Sequence, residues 1–187
     1  MDKLSEQKKR RFERWRETLP KRKRYLADLV ADRIVPQFEQ RGFIWHKKAS
    51  GGFPYLTRPE SGCWPAVQLR FHKRSNPLAF MDVACLPETC RQWNGKDFVP
   101  VPREDAFLVD GLVYFFLRNP RRSSNSAFGY RYFSLAPNRR LYKDIDAMAS
   151  VLPRLFDVFD KKLLENKERW PEVADLLALC GDNTSRF

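Results

Sequence analysis

Residues 64–86 read WPAVQLRFHKRSNPLAFMDVACL, two runs of aromatic and branched residues on either side of the turn-forming stretch KRSNP. This pattern predicts two strands joined as a hairpin. Alternate residues of a strand point to opposite faces. The apolar residues of one face are Val67, Leu69 and Phe71 on the first strand and Ala79, Met81 and Val83 on the second. They share a face only if odd-numbered residues lie opposite odd-numbered residues, which predicts the register of the hairpin.

Shorter runs of the same kind lie on both sides of this hairpin. FIWHKK at 43–48 and FPYLTR at 53–58 precede it, and AFLVDGLVYFFLR at 106–118 and FGYRYFSL at 128–135 follow it. The early runs predict an antiparallel meander, and the later runs predict further strands. Residues 87–105 are polar and rich in Pro, which predicts a long loop.

Helices are predicted before and after the strands. Residues 21–41 predict a helix that Pro36 kinks. Its apolar face consists of Tyr25, Leu26, Leu29, Val30, Ile34 and Phe38. Residues 143–164 predict a helical stretch in which Pro153 starts a new helix, and residues 171–179 predict a last helix.

The length and composition of the chain fit one domain. It has 187 residues, of which 43% are hydrophobic, enough for one full core. We therefore predict a single α+β domain over residues 25–187, built on an antiparallel sheet of about five or six strands with helices packed on one face. A basic helical arm, residues 1–24, precedes it.

The order of these elements resembles a bacterial family called domain of unknown function 4304. The matching pieces are residues 30–43 with their RGF, the hairpins to residue 86, YRYFSL at 130–135 and DIDAMASVLPRLFDVF at 144–159. The resemblance covers most of residues 25–165. It implies a small α+β fold and supplies no chemistry. The basic arm and the Pro-rich loop lie outside it, so a special function is expected there.

The charge of the chain is strongly positive and concentrated at its start. The formal net charge is +12, and residues 1–24 hold 11 Lys or Arg and 4 Asp or Glu, a net of +7. This balance favours nucleic acid, an acidic protein or an anionic membrane surface as partner. A short charged helix can also be a solvated face with no partner.

We expect the basic residues to contact the phosphates of DNA or RNA. They are Lys8, Lys9, Arg10, Arg11, Arg14, Arg16, Lys21, Arg22, Lys23 and Arg24, with two later pairs, Arg121 and Arg122, and Arg139 and Arg140. The Ser and Asn side chains of NPRRSSNSA at 119–127 are typical donors to phosphate oxygens. Tyr130 and Tyr132 either stack on bases or belong to the core.

The arm also carries a narrow apolar stripe. Phe12, Trp15 and Leu19 recur at helical spacing, which is typical of a helix that docks into a groove of a protein partner. With the basic residues beside it, the stripe favours an acidic protein. A helix on a membrane surface is a further interpretation, for which the apolar face is narrow.

Catalysis has one candidate group. On the predicted hairpin His72 has Asp82 and Arg70 on the same face, a combination typical of acid–base or phosphodiesterase-like chemistry. An ion pair on a polar sheet face explains the same residues. No phosphate-binding glycine loop, nucleophile elbow or nuclease carboxylate set is recognisable, so we expect no enzyme and no cofactor.

The cysteines at 63, 85, 90 and 180 are expected to be reduced and buried. A zinc site from Cys63, Cys85, Cys90 and a histidine is the alternative, but the spacing lacks close ligand pairs, so we expect no metal. The sequence shows no transmembrane run and no secretory signal, which favours a cytoplasmic protein.

The features together predict a non-enzymatic accessory protein of a bacterial multi-protein system. It would bind nucleic acid mainly through the phosphate backbone. The alternative is a protein-interaction module, an adaptor or a toxin-neutralising protein, whose basic surface docks on an acidic partner.

Overall fold

The structure, a computed structural model, describes residues 10, 13–14, 17, 19–45, 54–72, 77–106, 114–121, 127–129, 137–173 and 177–180. The helices are α1 (Lys21–Arg33), α2 (Val35–Glu39), α3 (Pro137–Asp160) and α4 (Trp170–Val173), with 3-10 turns at Arg103–Asp105 and Lys167–Arg169. The strands are β1 (Ile44–Trp45), β2 (Tyr55–Thr57), β3 (Trp64–Phe71), β4 (Leu78–Leu86), β5 (Thr89–Trp93), β6 (Phe98–Pro102), β7 (Tyr114–Leu117), β8 (Phe128–Gly129) and β9 (Leu177–Cys180).

The strands form one main antiparallel sheet and one small one. Six strands of the main sheet follow each other in the order β1, β2, β3, β4, β7 and β9, and β8 pairs with the first residues of β4. Strands β5 and β6 make a separate hairpin. The predicted α+β architecture is confirmed.

The register of the central hairpin is confirmed. Val67 lies opposite Val83, and Leu69 lies opposite Met81. These four side chains are buried and belong to the main core, which the helices cover. Because every second residue points to this core, a slip by one residue would turn the whole apolar set away from it.

The first predicted helix is divided in two. Helix α1 ends at Arg33, and α2 starts after Ile34 with Pro36 in its first turn. Proline suits the first turn of a helix, where its missing N–H leaves no bond unmade. The ring of Phe38 in α2 packs edge-on against the ring of Phe156 at 5.2 Å, which joins α2 to α3.

The prediction that Pro153 starts a new helix is wrong. Helix α3 runs without interruption from Pro137 to Asp160, with Pro153 inside it. Pro153 is exposed, whereas Leu152 and Leu155 are buried in the main core on either side of it. We infer that burial of this continuous apolar stripe outweighs the backbone hydrogen bond that proline removes. None of the helices in the described ranges has the length and apolar character needed to cross a membrane.

The prediction of a long loop over residues 87–105 is also wrong. This stretch contains the β5–β6 hairpin, followed by the 3-10 turn. Its turn holds Asn94 and Gly95, and Gly95 has a φ of +102°. The Oδ1 atom of Asn94 accepts hydrogen bonds from the backbone N–H of Lys96 and of Asp97, both at 2.8 Å. Asn-Gly between two strands is a strong hairpin signal, which the prolines of β6 obscured.

The last predicted helix, residues 171–179, is replaced by a short helix and a strand. Helix α4 ends at Val173, and β9 pairs antiparallel with β7, with Leu177 opposite Leu117. Residues 177–180 are a short apolar run, and the pattern of such a run does not distinguish a strand from a buried helix. The open edge of β7 decides the conformation, because it offers backbone hydrogen bonds to the last strand.

Candidate nucleic-acid interface

Two helices begin with basic residues. The first turn of α1 reads KRKR and that of α3 reads PNRR, and neither contains an acidic residue. A cation at a helix N-terminus faces the positive end of the helix dipole, which opposes helix stability by about 0.3–1 kcal/mol. The charges of these side chains therefore do not stabilise their own helices through the helix dipole.

The start of α1 is attached to the end of β3. The Nζ atom of Lys23 donates a hydrogen bond to the backbone oxygen of His72. The backbone N–H of His72 donates to the backbone oxygen of Leu78 at 2.9 Å, and Leu78 lies opposite Gly129 in β8. Neighbouring strands lie about 4.8 Å apart, so His72 and Gly129 are separated by two strand spacings, about 10 Å.

The start of α3 is attached to the same strands through Asp144. The Oδ2 atom of this buried residue accepts a hydrogen bond from the backbone N–H of Gly129 at 2.9 Å. Its Oδ1 atom accepts from the Arg121 guanidinium at 2.9 Å. The side-chain amide of buried Asn119 donates to the backbone oxygen of Ala127 at 2.9 Å, which links the residues next to Arg121 to the start of β8. One carboxylate thus connects Arg121, the sheet and α3.

These contacts bring the basic first turns of α1 and α3, together with Arg121, to one end of the sheet, which we call the basic end. It consists of Lys21, Lys23, Arg24, Arg121, Arg139 and Arg140. Arg140 lies one helical turn before Asp144, on the face of α3 that carries the bound Arg121. The sequence alone placed these residues in separate stretches and did not predict that they meet.

Lys23 and Arg24, like Arg121, also have contacts within the protein. Lys23 is buried, and burial lowers the pKa of its ammonium group. Arg24 is exposed, and its guanidinium donates to the backbone oxygens of Glu17 at 2.5 Å and Leu19 at 3.2 Å. These hydrogen bonds fix the chain before α1 to the helix. Lys21, Arg139 and Arg140 are exposed.

Much of the predicted arm lies outside the described residues. This applies to Lys8, Lys9, Arg11, Phe12, Trp15 and Arg16, and likewise to Arg122, Tyr130, Tyr132 and the side chain of Arg22. Arg10 and Arg14 are helical and exposed. Leu19, predicted to dock on a partner, is buried in the main core, so it attaches the arm to the body.

The structure pairs two of the three catalytic candidates and separates the third. The Nε and Nη2 atoms of Arg70 donate to the two carboxylate oxygens of Asp82, the second at 2.9 Å. Asp82 lies opposite Gln68, and His72 follows the last residue of β3, four residues and about 13 Å beyond Gln68. His72 and Asp82 therefore do not form an acid–base pair, and the ion-pair interpretation of Arg70 and Asp82 fits the structure.

The Arg70–Asp82 pair lies in a mainly apolar setting. The Asp82 side chain is fully buried, and the Arg70 guanidinium lies 5.8 Å from the ring centre of Phe80 and 5.5 Å from that of Phe116. Burial raises the pKa of Asp82, and the hydrogen bonds and charge of Arg70 oppose that shift. The pair is a structural element of the sheet face opposite the helices.

The cysteine prediction is partly wrong. Cys63 and Cys85 form a disulfide with a Cα–Cα distance of 5.6 Å. Cys90 is a free, buried thiol as predicted, and burial raises its pKa to about 11. The side chain of Cys180 lies outside the described part of the chain. A separation of 22 residues between the paired cysteines carries no sequence signal, because the antiparallel register brings them together.

Sequence reasoning also missed an aromatic pair on the β5–β6 hairpin, of which Trp93 is exposed and Phe98 half-buried. Trp93 is 39% exposed, and its ring centre lies 5.3 Å from that of Phe98 on the opposite strand. The Arg91 guanidinium lies 5.9 Å from the centre of the Phe98 ring. Asn94 and Gly95 carried the signal for this hairpin, from which alternation along its strands would have placed Arg91 and Trp93 on one face.

Comparisons with protein-family models, with curated proteins and with solved structures find no match for this chain. The resemblance to domain of unknown function 4304 therefore stays a prediction.

Proposed function

We propose that the protein binds nucleic acid through its phosphate backbone, with the basic end as the contact surface. It does so as a non-enzymatic component of a bacterial multi-protein system. The observation that carries the proposal is the series of contacts from Lys23 to Arg121, which brings the basic starts of α1 and α3 to one end of the sheet.

The geometry suits an extended anion. Exposed Arg139 and Arg140 stand at the N-terminus of α3, whose positive dipole end adds to their attraction for phosphate. Arg121 uses one nitrogen for Asp144, and its side chain remains 45% exposed. A guanidinium has five N–H donors, so Arg121 can hold Asp144 and a phosphate together.

Two charge-reversed variants test the proposal. Lys143 is exposed one helical turn after Arg139 on the same face of α3, so it extends the basic end. We expect Arg139→Glu with Lys143→Glu to weaken DNA or RNA binding by about 50-fold at 0.1 M salt, because each lost phosphate contact lowers the slope of log affinity against log salt by about 0.9. The matched control is Lys96→Glu with Lys161→Glu, which changes the net charge equally at exposed sites on the β5–β6 turn and just after α3. Fluorescence anisotropy with labelled single- and double-stranded oligonucleotides measures both affinity and slope.

The control variant is expected to retain wild-type affinity within about threefold. An equal loss in both variants would mean that only net charge matters, and the basic end would lose its role. Absence of binding by the wild-type chain at low salt would overturn nucleic acid as the partner.

A second function is favoured by the hairpin. Its solvent face presents Arg91, Trp93 and Phe98 together, and Trp and Arg are the residues most often found at the centre of protein interfaces. If the protein is an interaction module, Trp93→Ala should lose a partner in a pull-down that the Arg139→Glu, Lys143→Glu variant retains. A partner that survives Trp93→Ala would exclude the hairpin as its docking face.

A further inference from the structure

Three groups with metal-ligating atoms converge at the other end of the sheet. The sulfur atoms of Cys63 and Cys85 and a carboxylate oxygen of Glu165 lie within 4.8 Å of one another. Cys63 directly precedes β3, Cys85 lies near the end of β4, and Glu165 follows α3. Cys85 lies seven positions after Leu78, which is next to the basic end, so the two are about 24 Å apart along β4.

The segment that carries Cys63 is held in place from both faces of the sheet. The Nζ atom of Lys162 donates to the backbone oxygen of Ser61 at 3.1 Å. The Arg103 guanidinium donates to the backbone oxygen of Gly62 and stacks on Trp64, with its central carbon 4.3 Å from the ring centre. Cys63 therefore stays beside Cys85 without help from the bond between their sulfur atoms.

We propose that the Cys63–Cys85 disulfide, once reduced, becomes a binding site for a divalent ion of the zinc class, with Glu165 as third protein ligand. Zinc takes thiolate and carboxylate ligands in tetrahedral sites. Two zinc–sulfur bonds of about 2.3 Å at a tetrahedral angle separate the sulfurs by about 3.8 Å. The Cα–Cα distance of 5.6 Å accommodates that spacing after rotation of the side chains.

The reaction balances with a dithiol as reductant. Two electrons and two protons pass from the dithiol to the protein disulfide, so the S–S bond breaks, two cysteine thiols form and the dithiol becomes a disulfide. Binding of the ion then releases both thiol protons. The fourth coordination position is left for water, as in zinc sites with three protein ligands.

The charge at the site also balances. Two thiolates, one carboxylate and a divalent cation sum to one negative charge. The Lys162 ammonium, 3.7 Å from the Glu165 Oε1 atom, supplies one positive charge. The pKa of the buried Cys90 thiol, about 11, keeps that third cysteine protonated, and it packs in a different apolar cluster from Cys85.

Zinc alone is the probe for the test. The full chain is reduced with a dithiol, freed of reductant without oxygen, and titrated with Zn²⁺ against a coloured chelator. We expect one equivalent to bind to the reduced chain and none to the oxidised chain. Cys63→Ser should abolish binding. Glu165→Gln, at an exposed position, should weaken zinc binding at least about tenfold. Changing a residue that only supports a metal ligand already costs about 10–100-fold in affinity, and Glu165 is proposed as a ligand itself.

Two variants serve as controls. Cys90→Ser and Glu168→Gln should bind zinc like the wild-type chain, because neither residue belongs to the cluster. Circular dichroism establishes that each variant is folded. The proposal is overturned if the reduced wild-type chain binds no zinc, if Cys63→Ser binds it equally, or if Glu165→Gln leaves the affinity unchanged. Since the basic end lies at the other end of β4, nucleic-acid binding succeeds or fails independently.

Discussion

Gly129→Ala is expected to lower the free energy of unfolding by about 4 kcal/mol. Gly129 has a φ of +117°, and a Cβ atom built there would lie 1.9 Å from the backbone oxygen of Pro77. The unfavourable φ costs about 1–3 kcal/mol, and a clash inside a packed structure costs about as much again. Because the clash is with backbone, no rotation of a side chain relieves it. Urea unfolding followed by tryptophan fluorescence measures the change.

Gly95→Ala is the matched control for this prediction. Gly95 has a φ of +102°, and its added Cβ would meet no described atom within 4 Å. Only the conformational part of the effect applies there, so we expect a loss of about 1–2 kcal/mol. Equal losses in the two variants would contradict the close packing of β8 on the start of β4.

The central hairpin was predictable from sequence because its information is local. Alternation in residues 64–86 identifies both strands, and burial of one face admits one register, which the structure confirms. The kink at Pro36 was predictable for the same reason, since proline acts on its own turn. Strand alternation and proline geometry therefore predicted those elements whose conformation depends on residues close in sequence.

Two of the wrong predictions concern elements that distant residues decide. Helix α3 continues through Pro153 because the core of the whole domain buries residues on both sides of it. Residues 177–180 form a strand because β7 has an edge to pair with. In the β5–β6 hairpin, by contrast, Asn94 and Gly95 gave a local signal that the neighbouring prolines outweighed in the prediction.

The candidate sites show the same limit. The sequence identified the residue types, since Lys and Arg at positions 21–24, 121 and 139–140 are conspicuous by charge. Their convergence depends on contacts between residues far apart in the chain, such as Lys23 with His72, 49 residues away. Glu165 meets Cys63 and Cys85 through the packing of α3 on the sheet, so no spacing rule predicts their cluster.

Arg70→Ala is expected to lower the free energy of unfolding by about 3 kcal/mol at neutral pH. It removes the charge partner of Asp82, whose side chain is fully buried, and leaves this carboxylate without the guanidinium that balances its charge. Breaking a buried ion pair costs about 3–5 kcal/mol, and Arg70 is itself 32% exposed, which favours the lower figure. Replacing both residues, Arg70→Met with Asp82→Leu, should recover most of the loss because no charge remains unpaired.

The loss in Arg70→Ala should shrink as the pH falls. Burial raises the pKa of Asp82 above its ordinary value of 3.8, and Arg70 opposes the shift, so the variant raises this pKa further. The native variant then binds the proton more tightly than the unfolded chain. Protonation therefore stabilises it fully below pH 3.8, and this stabilisation is lost as the pH rises through the native-state pKa.

Urea unfolding of Arg70→Ala at pH 7 and pH 4.5 separates two explanations of the loss. A protonated Asp82 carries no charge, and its O–H can donate to Oε1 of Gln68, the opposite residue on β3, which accepts no hydrogen bond within the described part of the chain. We therefore expect a smaller difference from wild type at pH 4.5. Of Arg70 and Asp82, only Asp82 changes its charge between pH 7 and pH 4.5. If the variant differs from wild type equally at both pH values, the loss comes from the packing of Arg70 against Phe80 and Phe116 and not from the unpaired charge.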